Sequence, residues 1–159
     1  MIACLTSCVA CLACTVPSNS PKAAPDFARA DSNGALVRLT DYKSKVVLLD
    51  LWATYCGGCK TEIPWFIEFN NRYQAGGLVV IGVAMDNSWK PVKSFIAEER
   101  VNYTVVLGSY ALLNMFGATG LPATFLIDRN GRIAKSHVGV VDKDSFEAEI
   151  RELLSESRK

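Results

Sequence analysis

A Cys-Gly-Gly-Cys sequence at residues 56–59 constrains this chain most, because of the segments on either side of it. Six of the seven residues in Val46–Trp52 are apolar, as in a strand buried on both faces. Residues 60–73 follow as a predicted helix. The dipole and unpaired N–H groups at a helix start favour a thiolate, so the first cysteine is expected to have a lowered pKa. The spacing therefore predicts dithiol–disulfide chemistry.

Half of a zinc site is the alternative interpretation of the same two cysteines. A structural zinc site needs two further ligands, usually a second closely spaced Cys/His pair. Beyond residue 14 the sequence offers only His137, which stands alone and far downstream. The ligand count therefore favours redox chemistry, with no metal and no other cofactor expected.

Length and charge limit the class of protein. At 159 residues and 17.3 kDa the chain fits one domain with a sizeable core. Its formal net charge is +1 and no basic stripe is present, so neither nucleic-acid binding nor electrostatic attraction to lipid is expected.

The N-terminal segment differs from the rest of the chain. Twelve of residues 1–14 are apolar or cysteine, and the first charged residue is Lys22. This segment is shorter than the roughly 20 residues of a membrane-spanning helix and fits the apolar part of an export signal. Residues 15–25 contain three prolines and two serines, which predicts a linker. The folded domain is predicted to be residues 26–159.

The leader also contains four cysteines, which have three possible explanations. A metal or cluster site is one, and cysteine acting as a small apolar residue is another. The third is a lipid anchor, because residues 5–8 and 11–14 resemble the box that precedes the acylated cysteine of bacterial lipoproteins; cleavage would fall before Cys8 or Cys14. After cleavage before Cys14 the domain would hold two free thiols, Cys56 and Cys59, which suits an oxidising compartment. We expect an extracytoplasmic protein, in the periplasm or on the outer face of the membrane.

The remaining pattern alternates strands and helices. An Asn-Gly turn at Asn33 predicts an N-terminal hairpin. The other predicted strands are Val46–Trp52, Leu78–Ala84, 103–107, 124–128 and 132–137. The further predicted helices are 91–100, 111–116 and a terminal helix opened by a capping box from Asp144 to Glu147. This order predicts an α/β fold with a central mixed sheet flanked by helices.

Three segments resemble a known family. Residues 46–64 resemble the active-site block of the thioredoxin superfamily, and most closely the TlpA/ResA-like branch of exported, membrane-tethered thiol–disulfide oxidoreductases. Residues 120–128 resemble the second signature of that family, and residues 25–42 its N-terminal hairpin. The resemblance covers residue 25 to about residue 155. It implies a thioredoxin-like fold with an N-terminal β-hairpin and an α-β insertion, and a cis bond before Pro122.

The thiols and two acids form the predicted catalytic set. Cys56 is expected to attack a partner disulfide and Cys59 to resolve the mixed disulfide. Asp50 is anomalous in an apolar strand, and the resemblance places it where thioredoxins keep a buried base for the resolving thiol. Its alternative is a strand-end carboxylate that reaches solvent or a backbone amide.

Glu62, three residues beyond Cys59, has two explanations of equal weight. Glutamate complements the dipole at a helix start. The resemblance to the ResA-like branch implies an acid that affects the thiol pKa and the choice of partner. Whether Asp50 or Glu62 handles the proton stays open.

Four more residues are predicted to contact the substrate: Trp52, Tyr55, Leu121 and Pro122. The resemblance implies that the backbone of Leu121 pairs with an extended substrate segment, beside a cis Pro122. Trp52 and Tyr55 are expected to be aromatic walls, with core packing as the alternative for Trp52. The Gly57-Gly58 dipeptide departs from the proline-containing dipeptide common in the family.

The sequence thus predicts an exported thiol–disulfide oxidoreductase that reduces protein disulfides, for instance in cytochrome c maturation. Expected partners are protein disulfides such as apocytochrome c and a thiol-reductant donor in the membrane, and the protein is expected to be a monomer. A peroxiredoxin-like peroxidase is one alternative. The other is a copper-binding module of the same fold, with His137 as a ligand.

Overall fold

The computed structural model of this protein describes residues 22–156. The predicted leader and residues 15–21 of the predicted linker lie outside the described residues. None of the helices within 22–156 is long and apolar enough to cross a bilayer.

A five-stranded mixed sheet forms the centre of the domain. Its strands are β3 (Val46–Trp52), β4 (Leu78–Ala84), β5 (Thr104–Leu107), β6 (Ala123–Ile127) and β7 (Ile133–Val138), in the spatial order β5-β4-β3-β6-β7. The pairs β3–β4 and β4–β5 are parallel, whereas β3–β6 and β6–β7 are antiparallel. The predicted mixed sheet is therefore confirmed, with β3 at its centre.

The N-terminal hairpin is a separate two-stranded sheet. It consists of β1 (Ala28–Ala30) and β2 (Leu36–Arg38), which pair antiparallel. Phe27 and Val37 are buried against the main core, and a bridge between Asp31 and Val106 joins the hairpin to the β5 edge.

In the described part of the chain, four helices accompany the sheet: α1 (Gly57–Tyr73), α2 (Trp89–Glu99), α3 (Tyr110–Met115) and α4 (Lys143–Ser155). Helices α1, α2 and α4 pack on one face of the sheet, with α2 and β5 forming the predicted α-β insertion. Short 3-10 turns occupy Leu39–Tyr42 and Gln74–Gly76.

The start of α4 differs from the predicted capping box. Asp142 is the N-cap and accepts a hydrogen bond from the Ser145 N–H at 3.0 Å, because its backbone is extended while Asp144 already lies in the first turn. Glu147 does not reach back to the helix start. It accepts hydrogen bonds from the Tyr73 hydroxyl and the Arg72 guanidinium of α1.

Strand β3 is buried on both faces, as its apolar sequence predicted. Val47, Leu49 and Leu51 pack towards the hairpin and α3. On the opposite face, under α1, Val46 and Leu48 belong to one apolar cluster and Trp52 to another. Asp50 lies between those two clusters.

Asp50 belongs to a row of residues that crosses the sheet. It pairs in register with Gly82 of β4 on one side and with Thr124 of β6 on the other. Thr124 in turn pairs with His137 of β7. Because residues in register on neighbouring strands face the same side of a sheet, the row runs beneath α1 and α4.

Candidate active site

Cys56 and Cys59 form a disulfide at the junction of β3 and α1, with Cα atoms 5.3 Å apart. Cys56 is the N-cap of α1 and is partly exposed, whereas Cys59 has no exposed surface. The backbone N–H of Cys59 donates to the Cys56 sulfur at 3.2 Å. Capping by Cys56 explains why α1 begins at Gly57, ahead of the predicted residue 60. One sulfur therefore faces solvent and the other is enclosed.

The loop that carries Cys56 is anchored by a buried carboxylate. Asp86, which follows β4, accepts hydrogen bonds from the Thr54 N–H at 3.0 Å and from the Thr54 hydroxyl at 2.5 Å. The Cys56 N–H donates to the Ala53 carbonyl oxygen, which tightens the same turn. Asp86 therefore fixes the loop before Cys56 to the end of the neighbouring strand β4.

Pro122 lies beside the thiols, and the Leu121–Pro122 peptide bond is cis. Residue 58 packs directly on this turn. A Cβ atom at Gly58 would come within 2.8 Å of Val140 Cγ2 and 3.3 Å of Pro122 Cδ. Position 58 therefore accepts a side chain only if its neighbours move. Leu121 is partly buried against the cluster that contains Cys59.

Asp50 is 1% exposed, and neither of its carboxyl oxygens has a hydrogen-bond partner among the described residues. The carboxyl reaches neither solvent nor a backbone amide among the described residues. The alternative interpretation of Asp50, a strand-end carboxylate with such a contact, is therefore wrong. Burial, and then the nearby Glu62 carboxyl, raise the pKa of Asp50 well above its usual value. This carboxyl therefore binds a proton more tightly than an exposed aspartate does.

Glu62 has no exposed surface and lies on the same buried side of α1 as Cys59. Its Oε1 accepts a hydrogen bond from the Val141 N–H at 2.7 Å. Burial raises the pKa of Glu62 and outweighs the opposing effects of the Val141 hydrogen bond and of His137. Dipole complementarity alone does not account for a carboxyl that points into the sheet.

Several polar atoms cluster beneath α1 without hydrogen-bond partners among residues 22–156. We call the five residues that supply them the buried polar seam: Asp50, Trp52, Glu62, Tyr103 and Thr124. Burial, and then the Asp50 charge, raise the pKa of the Tyr103 hydroxyl well above its usual value. Unpartnered buried polar groups are rare and costly, so their concentration beside Cys59 is a feature of the site.

Glycine at position 82 makes room for the seam. A Cβ atom there would come within 2.8 Å of the Trp52 indole nitrogen and 3.2 Å of a Tyr103 ring carbon. Both aromatic side chains therefore occupy the space that a larger residue would fill.

The two predicted aromatic walls have different environments. Trp52 is completely buried and packs on Phe95 with ring centroids 5.0 Å apart, in the apolar cluster that includes Cys59. Core packing beneath the thiols accounts for Trp52, and its side chain offers no surface to a substrate. Tyr55 is 71% exposed next to Cys56 and is free to contact a partner protein.

Sequence reasoning did not assign roles to Thr54, Asp86, Tyr103, Thr124 or Val141. The available signal for Asp86 is a polar residue at the end of the apolar run 78–85. Thr124 lies within the second family signature, which assigns it no role. No sequence signal marks the Val141 N–H, because every residue except proline has a backbone N–H.

No group of three or more His, Cys, Asp or Glu side chains within residues 22–156 is arranged to hold a metal ion. His137 instead lies 2.8 Å from Glu149, joining its Nε2 to a carboxylate oxygen of α4.

Comparison with known proteins identifies the relatives of this chain. The sequence matches the Redoxin family over residues 19–154. It is 33% identical to the thiol-disulfide oxidoreductase ResA of Geobacillus thermodenitrificans over 131 residues, which cover 82% of this chain and 75% of that protein. It is 29% identical to ResA of Bacillus anthracis over 133 residues, covering 83% and 77% of the two chains.

Solved structures agree. A Chlorobium tepidum protein assigned as a thiol:disulfide interchange protein DsbE superposes with a TM-score of 0.81 at 35% identity, covering 85% of this chain and 97% of that one. A second Chlorobium tepidum protein, a thiol:disulfide interchange protein of the thioredoxin family, gives a TM-score of 0.78 at 25% identity, with 86% and 98% covered.

The mixed sheet, the Cys56–Cys59 pair at the start of α1 and the adjacent Pro122 define a thiol–disulfide oxidoreductase of the thioredoxin superfamily. The chain belongs to the Redoxin family and, within it, is a ResA-like enzyme. The bonded cysteine pair and the descriptions of these relatives favour this class over the peroxidase alternative.

Proposed function

We propose that this enzyme is an exported reductant of protein disulfides, with Cys56 as the attacking thiol and Cys59 as the resolving thiol. The observation that carries the proposal is the contrast between the two sulfurs. Cys56 is partly exposed at a helix N-terminus, whereas Cys59 is enclosed beside two buried carboxyls.

The first step uses the exposed sulfur. In the reduced enzyme the Cys56 thiolate attacks one sulfur of a substrate disulfide, a bond forms between the two sulfurs, and the other substrate sulfur leaves as a thiolate. The helix N-terminus stabilises the Cys56 thiolate before attack. The Cys59 N–H already points at the Cys56 sulfur in the oxidised state.

The second step requires a proton to leave Cys59. Its thiol loses this proton to a buried carboxylate, Asp50 or Glu62, and the resulting thiolate attacks Cys56. The substrate leaves as a thiolate and takes a proton from water. In total, two enzyme thiols become a disulfide and one substrate disulfide becomes two thiols.

The direction of electron flow follows from the surroundings of Cys59. Oxidising members of this class are strong oxidants because their reduced form is stabilised. Here Cys59 is enclosed beside two buried carboxyls, surroundings that offer no positive charge to stabilise a thiolate of the reduced form. This supports action as a reductant.

The partner-facing surface is formed by Tyr55, Leu121 and Val140 around Cys56, with the buried Pro122 packed beneath it. Tyr55 directly precedes Cys56 in the sequence, whereas Val140 comes from the loop before α4, and both side chains are exposed. We propose that an extended segment of the substrate pairs with the backbone of Leu121 across this surface.

Location and partners are proposals from the sequence. An apolar leader, cysteines that suit lipid attachment and a domain with two thiols support export to the periplasm or to the outer face of the cell membrane. A disulfide in an apocytochrome c is a candidate substrate, and a thiol-reductant donor in the membrane would regenerate the enzyme. Labelling with radioactive palmitate, compared between Cys8→Ala and Cys14→Ala chains, tests attachment.

Equilibration of Cys56 and Cys59 with glutathione tests the direction. We expect a reduction potential at or below about −220 mV, within the range of reducing thiol proteins. A value near about −120 mV, as in strong oxidants, would contradict the proposed direction. A Cys59→Ala chain should also accumulate mixed disulfides with its substrates, and mass spectrometry of these adducts would identify them.

A further inference from the structure

His137, the single histidine of the chain, forms a pair with Glu149 that the redox chemistry described so far does not use. Its Nε2 lies 2.8 Å from a Glu149 carboxylate oxygen, and both side chains are partly exposed, at 32% and 24%. The His137 ring also packs edge-on against Phe146, with centroids 5.5 Å apart. The pair is therefore held between β7 and α4 while keeping contact with solvent.

Three observations connect this pair to the buried polar seam. His137 is in register with Thr124, which is in register with Asp50, so the three share one row of the sheet. A surface cavity of about 460 Å³ is lined by His137, Glu149 and Val141, and the Val141 N–H holds Glu62. The His137 charge also lies near enough to Glu62 to lower the pKa of that carboxyl.

The seam needs such a connection because its acids are enclosed. Cys59 and Glu62 have no exposed surface and Asp50 has 1%, so a proton taken from Cys59 must leave the interior through another group. The titratable groups near Glu62 are Asp50 on β3 and His137 on β7, and Cys59 lies three residues before it on α1. Tyr103, the residue before β5, lies near Asp50.

We propose that the His137–Glu149 pair is the solvent-side end of the route by which protons enter and leave Glu62 and the buried polar seam. The inference rests on the proposed function, in which a buried carboxylate accepts the Cys59 proton. During resolution the proton passes from the Cys59 sulfur to the carboxylate, then to the imidazole, and from there to water. Glu149 keeps the imidazole oriented, and Asp142 is the other acid that lines the cavity. His137 is thus a positioning and proton-transfer residue that touches no substrate atom.

The test compares His137→Gln with Lys135→Gln. Lys135 also joins β7 to α4, through a 4.0 Å surface pair with Glu152, so its substitution removes an equivalent link outside the seam. Single-turnover reduction of a model disulfide is followed by stopped flow from acid to alkaline pH. We expect His137→Gln to slow the resolution step about tenfold at neutral pH, and Lys135→Gln to match the wild type.

A second readout separates proton transfer from a structural role. In a His137→Gly chain, added imidazole should restore the resolution rate, whereas it should not restore a Glu62→Gln chain. The Glu62 carboxyl band in infrared difference spectra should titrate at higher pH in His137→Gln, because a nearby positive charge is lost.

Each outcome decides one proposal. Unchanged rates and an unchanged Glu62 titration in His137→Gln would refute the proton route, even if Glu62→Gln is slow and the proposed function stands. If Glu62→Gln and Asp50→Asn both resolve the mixed disulfide as fast as the wild type, the proposed role of a buried carboxylate fails. Should His137→Gln not fold, Glu149→Gln takes its place, with a weaker slowing expected and a wild-type profile counting against the route.

Discussion

The backbone N–H of Val141 donates a 2.7 Å hydrogen bond to the buried Glu62 carboxyl, joining α1 to the loop that precedes α4. The neighbouring Val140 lies over Gly58, so one loop contacts both the acid and the thiol turn. The acid is therefore held in place by the same segment that borders the partner-facing surface.

Glu62→Gln and Glu62→Ala should separate hydrogen bonding from charge. The Gln oxygen can still accept from Val141, so we expect near wild-type stability with an altered pH profile of resolution. Glu62→Ala leaves the Val141 N–H unpaired and should lose about 1–3 kcal/mol. Urea unfolding and stopped-flow rates measure both. Equal stability of the two variants would show that the hydrogen bond contributes little.

Asp50→Asn should change stability in a pH-dependent way. The pKa of Asp50 is raised above its usual value of 3.8, so the folded state binds the proton more tightly than the unfolded chain. The contribution of Asp50 to the free energy of unfolding is fully present below pH 3.8 and is lost as the pH rises through the raised pKa of the folded state. We expect the variant to match the wild type in acid and to exceed it by about 1–3 kcal/mol in alkali.

The same substitution should slow resolution more than the first attack, since it removes a proton acceptor but leaves Cys56 untouched. Stopped-flow reduction of a model disulfide between about pH 6 and 9, a range in which thiols titrate, separates the two steps. Identical pH profiles for both proteins would assign proton handling to Glu62 or water.

Cys56 should be the reactive thiol of the reduced enzyme, because it is partly exposed at a helix N-terminus and Cys59 is buried. We expect iodoacetamide to label Cys56 at least about tenfold faster near neutral pH, with the Cys56 thiolate titrating below about 8.5. Peptide mapping after timed quenching gives the two rates. Faster labelling of Cys59 would reverse the assigned roles.

Thr54→Val should loosen the loop that carries Cys56. It removes a 2.5 Å hydrogen bond to the buried Asp86 carboxylate, which should cost about 1.5–3 kcal/mol. Thr40→Val is the matched control, since its hydroxyl donates to an exposed Asp26 at 3.3 Å. Urea unfolding measures the stability, and the rate at which Cys56 attacks a model disulfide reports whether the loop still positions that thiol. A loss in the control as large as in Thr54→Val would argue against a specific anchor.

Much of the fold could be predicted from local sequence signals. Strands β3 and β4 have the predicted bounds, because an apolar run between polar residues marks both ends of a buried strand. Helix starts were less accurate, since a cap depends on one side chain. Cys56 caps α1 and Asp142 caps α4, where the pattern favoured later residues.

The site could be predicted only in part, for a physical reason. The thiols, Asp50 and Pro122 stand out because each is unusual in its own segment. The residues that surround Asp50 and Glu62 come from strands and loops distant in sequence, as with Tyr103, Thr124 and Val141. Such contacts depend on register and packing, which no local pattern encodes.

The close approach of Gly58 to Val140 limits how this enzyme can be altered, by selection or by design. Any side chain introduced between the two cysteines at position 58 must push Val140 aside, because the Cβ atom would come within 2.8 Å of it. Val140 is also half exposed on the surface that a partner protein would meet. A substitution at position 58 that changes the reduction potential of the dithiol therefore also changes the docking surface. Reduction potential and partner preference are coupled through this one contact.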